Sequence, residues 1–256
     1  MDASLFGQFE RTARCKCCGN ASTLYDVVDF NKNCEQPRRR VLETSGVPVY
    51  YHRCSSCDFI FTTAFDHFTP AMFASEIYNT EYRLVDPDYE ESRPRGNAEL
   101  IGKMFAASRT LNMLDYGGGN GLLAEVLKEK GFSSVATYDP FVAKHSARPS
   151  GEFDLLVSFE VLEHSPQPEA TFADMSILLA DPGLMLVSTV MQPSDLDATF
   201  GIRWWYIAPR NGHVSIFSPR ALDALVRPFG FTRTSLSPAL HLLYKTLPDF
   251  ATHLLR

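Results

Sequence analysis

The chain has 256 residues, is 45% hydrophobic, and carries 24 Lys and Arg against 30 Asp and Glu, for a formal charge of −6. That size can bury one sizeable core plus a small appendage. It holds no run of about 18 apolar residues, which excludes a membrane-spanning helix, and its acidic balance argues against nucleic acid as a partner.

The opening stretch, MDASLFGQFERTARC, lacks a basic segment followed by an apolar one. A secretory signal is therefore not expected, and a cytoplasmic location is. Cysteines in that reducing setting serve metals or catalysis rather than disulfides. Cys15 and Cys18 form C-x-x-C followed by Gly19, and Cys54 and Cys57 repeat the spacing. Two such knuckles bring four thiolates to one tetrahedral Zn²⁺, and a site filled by four protein ligands is structural. Strand-like pieces at 24–28 and 47–52 flank the polar loop 31–40, which completes a zinc-ribbon pattern. Cys17, inside the first knuckle, is an alternative ligand, and Cys34 lies in the polar loop as a free thiol. The competing reading is six ordinary thiols.

Aromatics from Phe59 to Tyr82 lead into a helical segment, and a further helix is expected over 97–108. Residues 111–121, LNMLDYGGGNG, then read as a buried strand, a glycine turn and the start of a helix over 122–130. Glycines suit a turn that takes up positive φ and lets a ligand approach bare backbone. A second apolar strand, 135–138, ends at Asp139, placed to accept both ribose hydroxyls of an adenosine ligand. Asp115, Gly117, Gly119 and Gly121 match, position by position, the first motif of the class I S-adenosylmethionine (SAM)-dependent methyltransferases, which this stretch resembles. The dinucleotide GxGxxG fits less well, because its third glycine would fall at Leu122.

The resemblance implies a Rossmann-like, doubly wound, mostly parallel α/β sheet that binds SAM, with a small N-terminal zinc ribbon. The expected segments are a zinc-ribbon-like domain at 1–65, a helical linker or cofactor lid at 66–108 and a SAM-binding domain at 109–256. The implied cofactor contacts are Asp115, Tyr116, Gly117, Gly118, Gly119, Asp139, Pro140, Phe141, Phe159 and Glu160. Methyltransferases of this kind cover the cofactor with an N-terminal helical segment, which makes Tyr82 and Arg93 candidates for its methionine end. The stretch between Asp139 and Phe153 is too short for a helix and a strand, so an edge strand is expected to be missing, with Phe141 stacking on the adenine.

FDLLVSFEVLEH, at 153–164, resembles the fourth motif of the same superfamily. A helix over 174–179 and a Pro182-Gly183 turn lead to the next strand, 184–190. Glu160, Glu163 and His164 admit two readings. They hydrogen-bond within the fold and shape the substrate floor, or with His213 they hold Mg²⁺ or Mn²⁺. In support of the second, E-x-x-E-H with a later histidine resembles the metal site of small-RNA 3′-end 2′-O-methyltransferases. E-x-x-E-H also occurs in quinone-biosynthesis O-methyltransferases. Trp204, Trp205 and Tyr206 read either as acceptor pocket or as a hydrophobic plug. His213 follows a glycine and is the candidate general base, with Glu160 and His164 as further catalytic candidates. A helix starting at Ser218-Pro219 and two last strands, 231–236 and 240–245, complete the chain.

The function expected is methyl transfer to a small-molecule acceptor. A zinc-binding region before such a domain also resembles the sugar C-methyltransferases of deoxysugar pathways, which makes a nucleotide-linked sugar one acceptor. The alternatives are a non-catalytic methyltransferase-like adaptor and a metal-assisted RNA 2′-O-methyltransferase.

Overall fold

Periodic stretches of the sequence become two sheets. The computed structural model describes residues 10–255. Strands β1 (Thr12–Arg14), β2 (Ala21–Asp29), β3 (Pro48–Cys54) and β4 (Ile60–Thr62) precede helices α1 (Pro70–Glu76) and α2 (Ser92–Met104). Then come β5 (Asn112–Tyr116), α3 (Leu122–Glu129), β6 (Ser134–Tyr138), β7 (Phe153–Phe159) and α4 (Pro168–Ser176). The chain closes with β8 (Leu179–Ser188), α5 (Leu196–Thr199), β9 (Ser215–Ile216), α6 (Pro219–Val226), β10 (Thr232–Ser237) and β11 (Leu240–Tyr244). Among the described residues, no helix is long and apolar enough to cross a membrane.

The chain divides into two compact units. The first comprises the N-terminal part through Pro87 together with Leu162–Thr171 and Thr189–Leu225; the second comprises Asp88–Val161, Phe172–Ser188 and Val226 onward. This division differs from the segments 1–65, 66–108 and 109–256 drawn on the sequence. The reason is that β9, far along the chain, pairs with β4 through Ile60–Ile216 and Phe61–Ser215.

The first unit is an antiparallel sheet in the order β1-β2-β3-β4-β9. In β3 the side chains of Val49 and Tyr51 turn inward and join Phe30, Ile60, Phe65, Phe73, Trp204, Tyr206 and Ile216 in one apolar cluster. α1 starts where its sequence says a helix should. Thr69 accepts a hydrogen bond from the Met72 N–H (3.3 Å), and Pro70 stands in the first turn.

The second unit is a six-stranded sheet in the order β10-β11-β8-β7-β5-β6, parallel from β8 through β6 and antiparallel at β11 and β10. Its central strands are covered on both faces, which is why 155–157 and 184–187 read as unbroken apolar runs. α2 and α3 share a core through Ala98, Ile101, Phe105, Leu123, Ala124 and Leu127. α2 covers 92–104 rather than 97–108, because Pro94 is tolerated in a first turn and the chain leaves helical geometry at Phe105. β8 begins at Leu179, before the Pro-Gly pair, and not at 184. The pair sits in a register break between Phe153↔Leu179 and Leu155↔Leu184, where a Cβ on Gly183 would overlap the Ala180 carbonyl. The sheet ends at β6 as expected, with a 3₁₀ turn at Ala143–His145 where a further strand would lie.

Candidate cofactor and metal sites

In the second unit β5 runs into the glycine turn and α3. Gly117, Gly119 and Gly121 lie at φ 75°, 55° and 84°, a region that side chains rarely enter. The glycines answer different needs. At Gly117 a Cβ would overlap Val161, at Gly118 it would overlap the Asp115 carboxylate, and at Gly119 it would meet nothing within 4 Å. Open space therefore lies at Gly119, while its neighbours are pressed against the sheet. Asp139 spans the turn: one carboxylate oxygen accepts from the Gly119 N–H (2.9 Å) and the other from the Phe141 N–H (2.8 Å). The turn after β6 folds back onto the loop, with the Asp139 N–H on the His145 carbonyl and His145 Nε2 3.3 Å from the Asn120 carbonyl. Phe141 is 51% exposed and Pro140 is exposed. The Tyr116 side chain instead points into the unit, donating to Asp174 (2.8 Å), and Phe159 packs against the core. Arg93 stands half-buried in the first turn of α2, its N–H on the Asp88 carbonyl.

Asp115 is buried, and its Oδ2 has no hydrogen-bond partner among the described residues. Burial, and after it the Asp139 carboxylate, push its pKa from 3.8 up to about 7. An acid raised on folding stabilises the protein below its unfolded pKa, and that contribution is lost as pH climbs through the folded value. Unfolding free energy should thus fall by up to about 4 kcal/mol between about pH 4 and pH 8 from this group. Asp115→Asn should flatten that fall. Denaturant titrations across the window measure both proteins, and equal slopes would remove Asp115 as the source.

Glu160, at the end of β7, takes the left-handed φ of 56°. Its N–H donates to Ser188 Oγ (3.0 Å), and that hydroxyl returns a bond to its carboxylate (3.0 Å). Glu160 is not part of the grouping that the sequence drew around it. In the first unit Glu163, His164 and His213 come together, one ligand atom from each lying within 4.8 Å of the others. Tyr206 donates its hydroxyl to Glu163 and its backbone carbonyl accepts from His213 Nδ1 (2.8 Å). A carbonyl accepts only from a protonated ring nitrogen, so Nε2 of a neutral His213 carries the lone pair. The two imidazoles stand perpendicular, 4.8 Å between centroids, and the Tyr78 hydroxyl lies 3.2 Å from His164 Nδ1. Ligands oriented by tyrosine and carbonyl partners are what a divalent-ion site needs. Tyr82 is buried in this unit, its hydroxyl on the Asn211 carbonyl (3.2 Å). Trp204 is buried as a plug would be, and Trp205 is 40% exposed.

No separate sequence signal sets Tyr78, Tyr206 or Cys34 beside the histidines. Tyr206 lay only within an aromatic triplet. Cys34 Sγ, read as a free loop thiol, lies 3.6 Å from His213 Nδ1, with the Cys34 N–H on Asn211 Oδ1 (2.9 Å).

Cys15, Cys18, Cys54 and Cys57 converge with all four sulfurs within 4.8 Å of one another. Cys15–Cys57 is 3.6 Å and Cys18–Cys54 3.4 Å. Sulfurs bound tetrahedrally at about 2.3 Å from zinc stand about 3.8 Å apart, so the set fits that ion. Backbone N–H groups of Cys17 and Ser56 point at Cys15 Sγ (3.5 Å) and Cys54 Sγ (3.4 Å). Gly19 (φ 72°) and Asp58 (φ 59°) take the same left-handed step after each knuckle. Cys17 stays outside the group, and burial pushes its thiol up.

A parallel sheet bearing this glycine turn, with an acidic residue closing each of its two flanking strands, is the architecture of class I SAM-dependent methyltransferases. A family model described as a methyltransferase domain matches residues 89–236, more than half the chain, and the chain belongs to that family. It is 28% identical over 123 residues to a ubiquinone biosynthesis O-methyltransferase from Caulobacter sp. (strain K31), covering 37% of this chain and 49% of the relative. The chain thus spans about half the length of that curated relative. Human N-acetylserotonin methyltransferase, solved with SAM, superposes with a TM-score of 0.52 at 16% identity, covering 71% of this chain and 61% of that one. The plantazolicin methyltransferase BpumL, solved with SAH, gives 0.50 at 10% identity, covering 69% and 95%. At such identities these structures speak to the fold.

Proposed function

We propose that this chain is a SAM-dependent methyltransferase that methylates an oxygen of a small-molecule acceptor and carries one structural zinc. The observation that carries the reading is the Gly119–Asp139 arrangement: open backbone at Gly119 beside a carboxylate already ordered by two N–H groups. SAM, when bound, supplies a methyl group on a sulfonium, and the chain supplies position and charge. Asp139 would hold the ribose hydroxyls, Phe141 would offer its exposed ring to the adenine, and Arg93 would pair with the methionine carboxylate. Oxygen as the accepting atom is supported by the named chemistry of the Caulobacter relative.

A metal-assisted variant of this reading is favoured by the Glu163–His164–His213 group. One carboxylate and two imidazoles suit Mn²⁺ or Mg²⁺, and such an ion can gather two vicinal oxygens of an acceptor. Glu160 is read here as a cofactor-site residue rather than a ligand. The zinc belongs to the four cysteines, whose closed donor set leaves no position for substrate.

Asp139→Ala should weaken SAM binding by about 30-fold, near 2 kcal/mol, because the ribose hydroxyls lose a buried charged acceptor. Isothermal titration measures this, and unchanged affinity would move the ribose elsewhere. Methyl release from SAM in the presence of pooled phenolic and sugar metabolites then separates an enzyme from a SAM-binding adaptor.

A further inference from the structure

We propose that the second cysteine knuckle is the positioning device for His213, so that zinc in the knuckles sets the geometry of the Glu163–His164–His213 group. The exit of that knuckle is tied to the segment just after His213. The Cys57 carbonyl accepts from Ser218 Oγ (2.6 Å). The Asp58 carbonyl accepts from Gln192 Nε2 (2.8 Å), and the other hydrogen of the same amide goes to the Ile216 carbonyl (2.9 Å). The Gln192 N–H donates to the Phe217 carbonyl (2.8 Å), and the Asp58 carboxylate pairs with Arg220. Gln192 is buried, so its amide is a cross-link between knuckle and strand rather than a solvated side chain.

From the knuckle the sheet itself carries the connection. β4 pairs with β9 at Ile60–Ile216 and Phe61–Ser215, and the Thr62 N–H continues the ladder to the Val214 carbonyl (3.1 Å). On the other side the Val214 N–H donates to the Glu163 carbonyl (2.9 Å), and Ser215 Oγ to the Ser165 carbonyl (2.7 Å). Tyr51, on β3, fixes the His213 carbonyl (2.7 Å). Both segments that supply the group are thus laid against the outer edge of the cysteine sheet. Because metal binding by such a knuckle is coupled to folding, the edge it anchors would be held when zinc is bound. The coupling of the two metal sites rests on the reading of the group as a divalent-ion site.

The test uses the full zinc-loaded chain and the variants Gln192→Leu and Ser218→Ala. Neither residue belongs to the cofactor or metal groups. Zinc content, SAM affinity, Mn²⁺ affinity by electron paramagnetic resonance and the ring-nitrogen NMR shifts of His213 are measured in each. The expected result is full zinc and wild-type SAM affinity, with Mn²⁺ affinity lowered at least about 10-fold, the usual effect of disturbing a ligand's support. The His213 shifts should also lose their single-tautomer pattern. Wild-type Mn²⁺ affinity and His213 shifts in both variants overturn the proposal. A wild-type protein that binds no Mn²⁺ sinks the metal-assisted reading instead, and the His213 shifts alone then decide the positioning. A variant that loses zinc but keeps parental hydrogen-exchange protection at 21–29 and 48–54 is judged the same way: an intact His213 pattern without zinc overturns the proposal, and a lost one supports it.

Discussion

Cys54→Ser should abolish zinc binding and unfold the first unit. Cys54 is fully buried at the end of β3, and its sulfur faces Cys18 across 3.4 Å. Zinc in comparable four-ligand sites contributes about 10–16 kcal/mol of apparent binding free energy, as much as a whole domain's stability. The knuckles hold the ends of β2 and β3 in register, from Ser22↔Cys54 onward, and the pair carries much of the unit's apolar cluster. Without the ion, three converging thiols and a serine hydroxyl remain in the variant. Hydrogen bonds with Cys17 and Cys57 hold Cys15 well below the ordinary thiol range, which leaves thiolate character there with no cation to meet it. Elemental analysis should find zinc in the parent and not in the variant. Hydrogen exchange at 21–29 and 48–54 should rise to that of an unprotected chain. A zinc-free parent, or a variant with parental protection at those strands, would return the four cysteines to the status of ordinary thiols.

The parts of this fold legible in the sequence are the parts governed by short-range chemistry. The glycine turn was readable because left-handed φ and close approach leave few alternatives to glycine at 117, 119 and 121. The knuckles were readable because two ligands on one tight turn need a fixed spacing. The missing edge strand followed from chain length alone. What stayed hidden depends on long-range pairing. β9 is two residues long, too short to carry a period, and its pairing with β4 leaves no local mark on either strand. Gln192 looked like any loop residue, although its buried amide ties two distant carbonyls together. The grouping of Glu163 with His164 and His213 was visible as a pattern of residue types. The sequence could not separate Glu160 from it, because the left-handed turn at Glu160 sends that side chain to Ser188.

His213→Asn should lower turnover by about 100-fold or more, the usual worth of a positioned base. The substitution is chosen for what it keeps. An asparagine amide can still donate to the Tyr206 carbonyl that now accepts from His213 Nδ1, so no buried acceptor is stripped and folding is spared. It loses Nε2, the nitrogen that carries the lone pair. SAM affinity should not move, because the glycine turn and Asp139 belong to the second unit and His213 to the first. The metal-assisted route gives a different pattern from a bare base. With a divalent ion held by Glu163, His164 and His213, chelation should silence the parent enzyme, Mn²⁺ should restore it, and the variant should need far more Mn²⁺ for any activity. With His213 as a bare base, chelation should leave the parent untouched while the variant stays slow at every Mn²⁺ concentration. Parental turnover in His213→Asn, with acceptor saturating, would take His213 out of the chemistry and leave it as a packing residue beneath Tyr206.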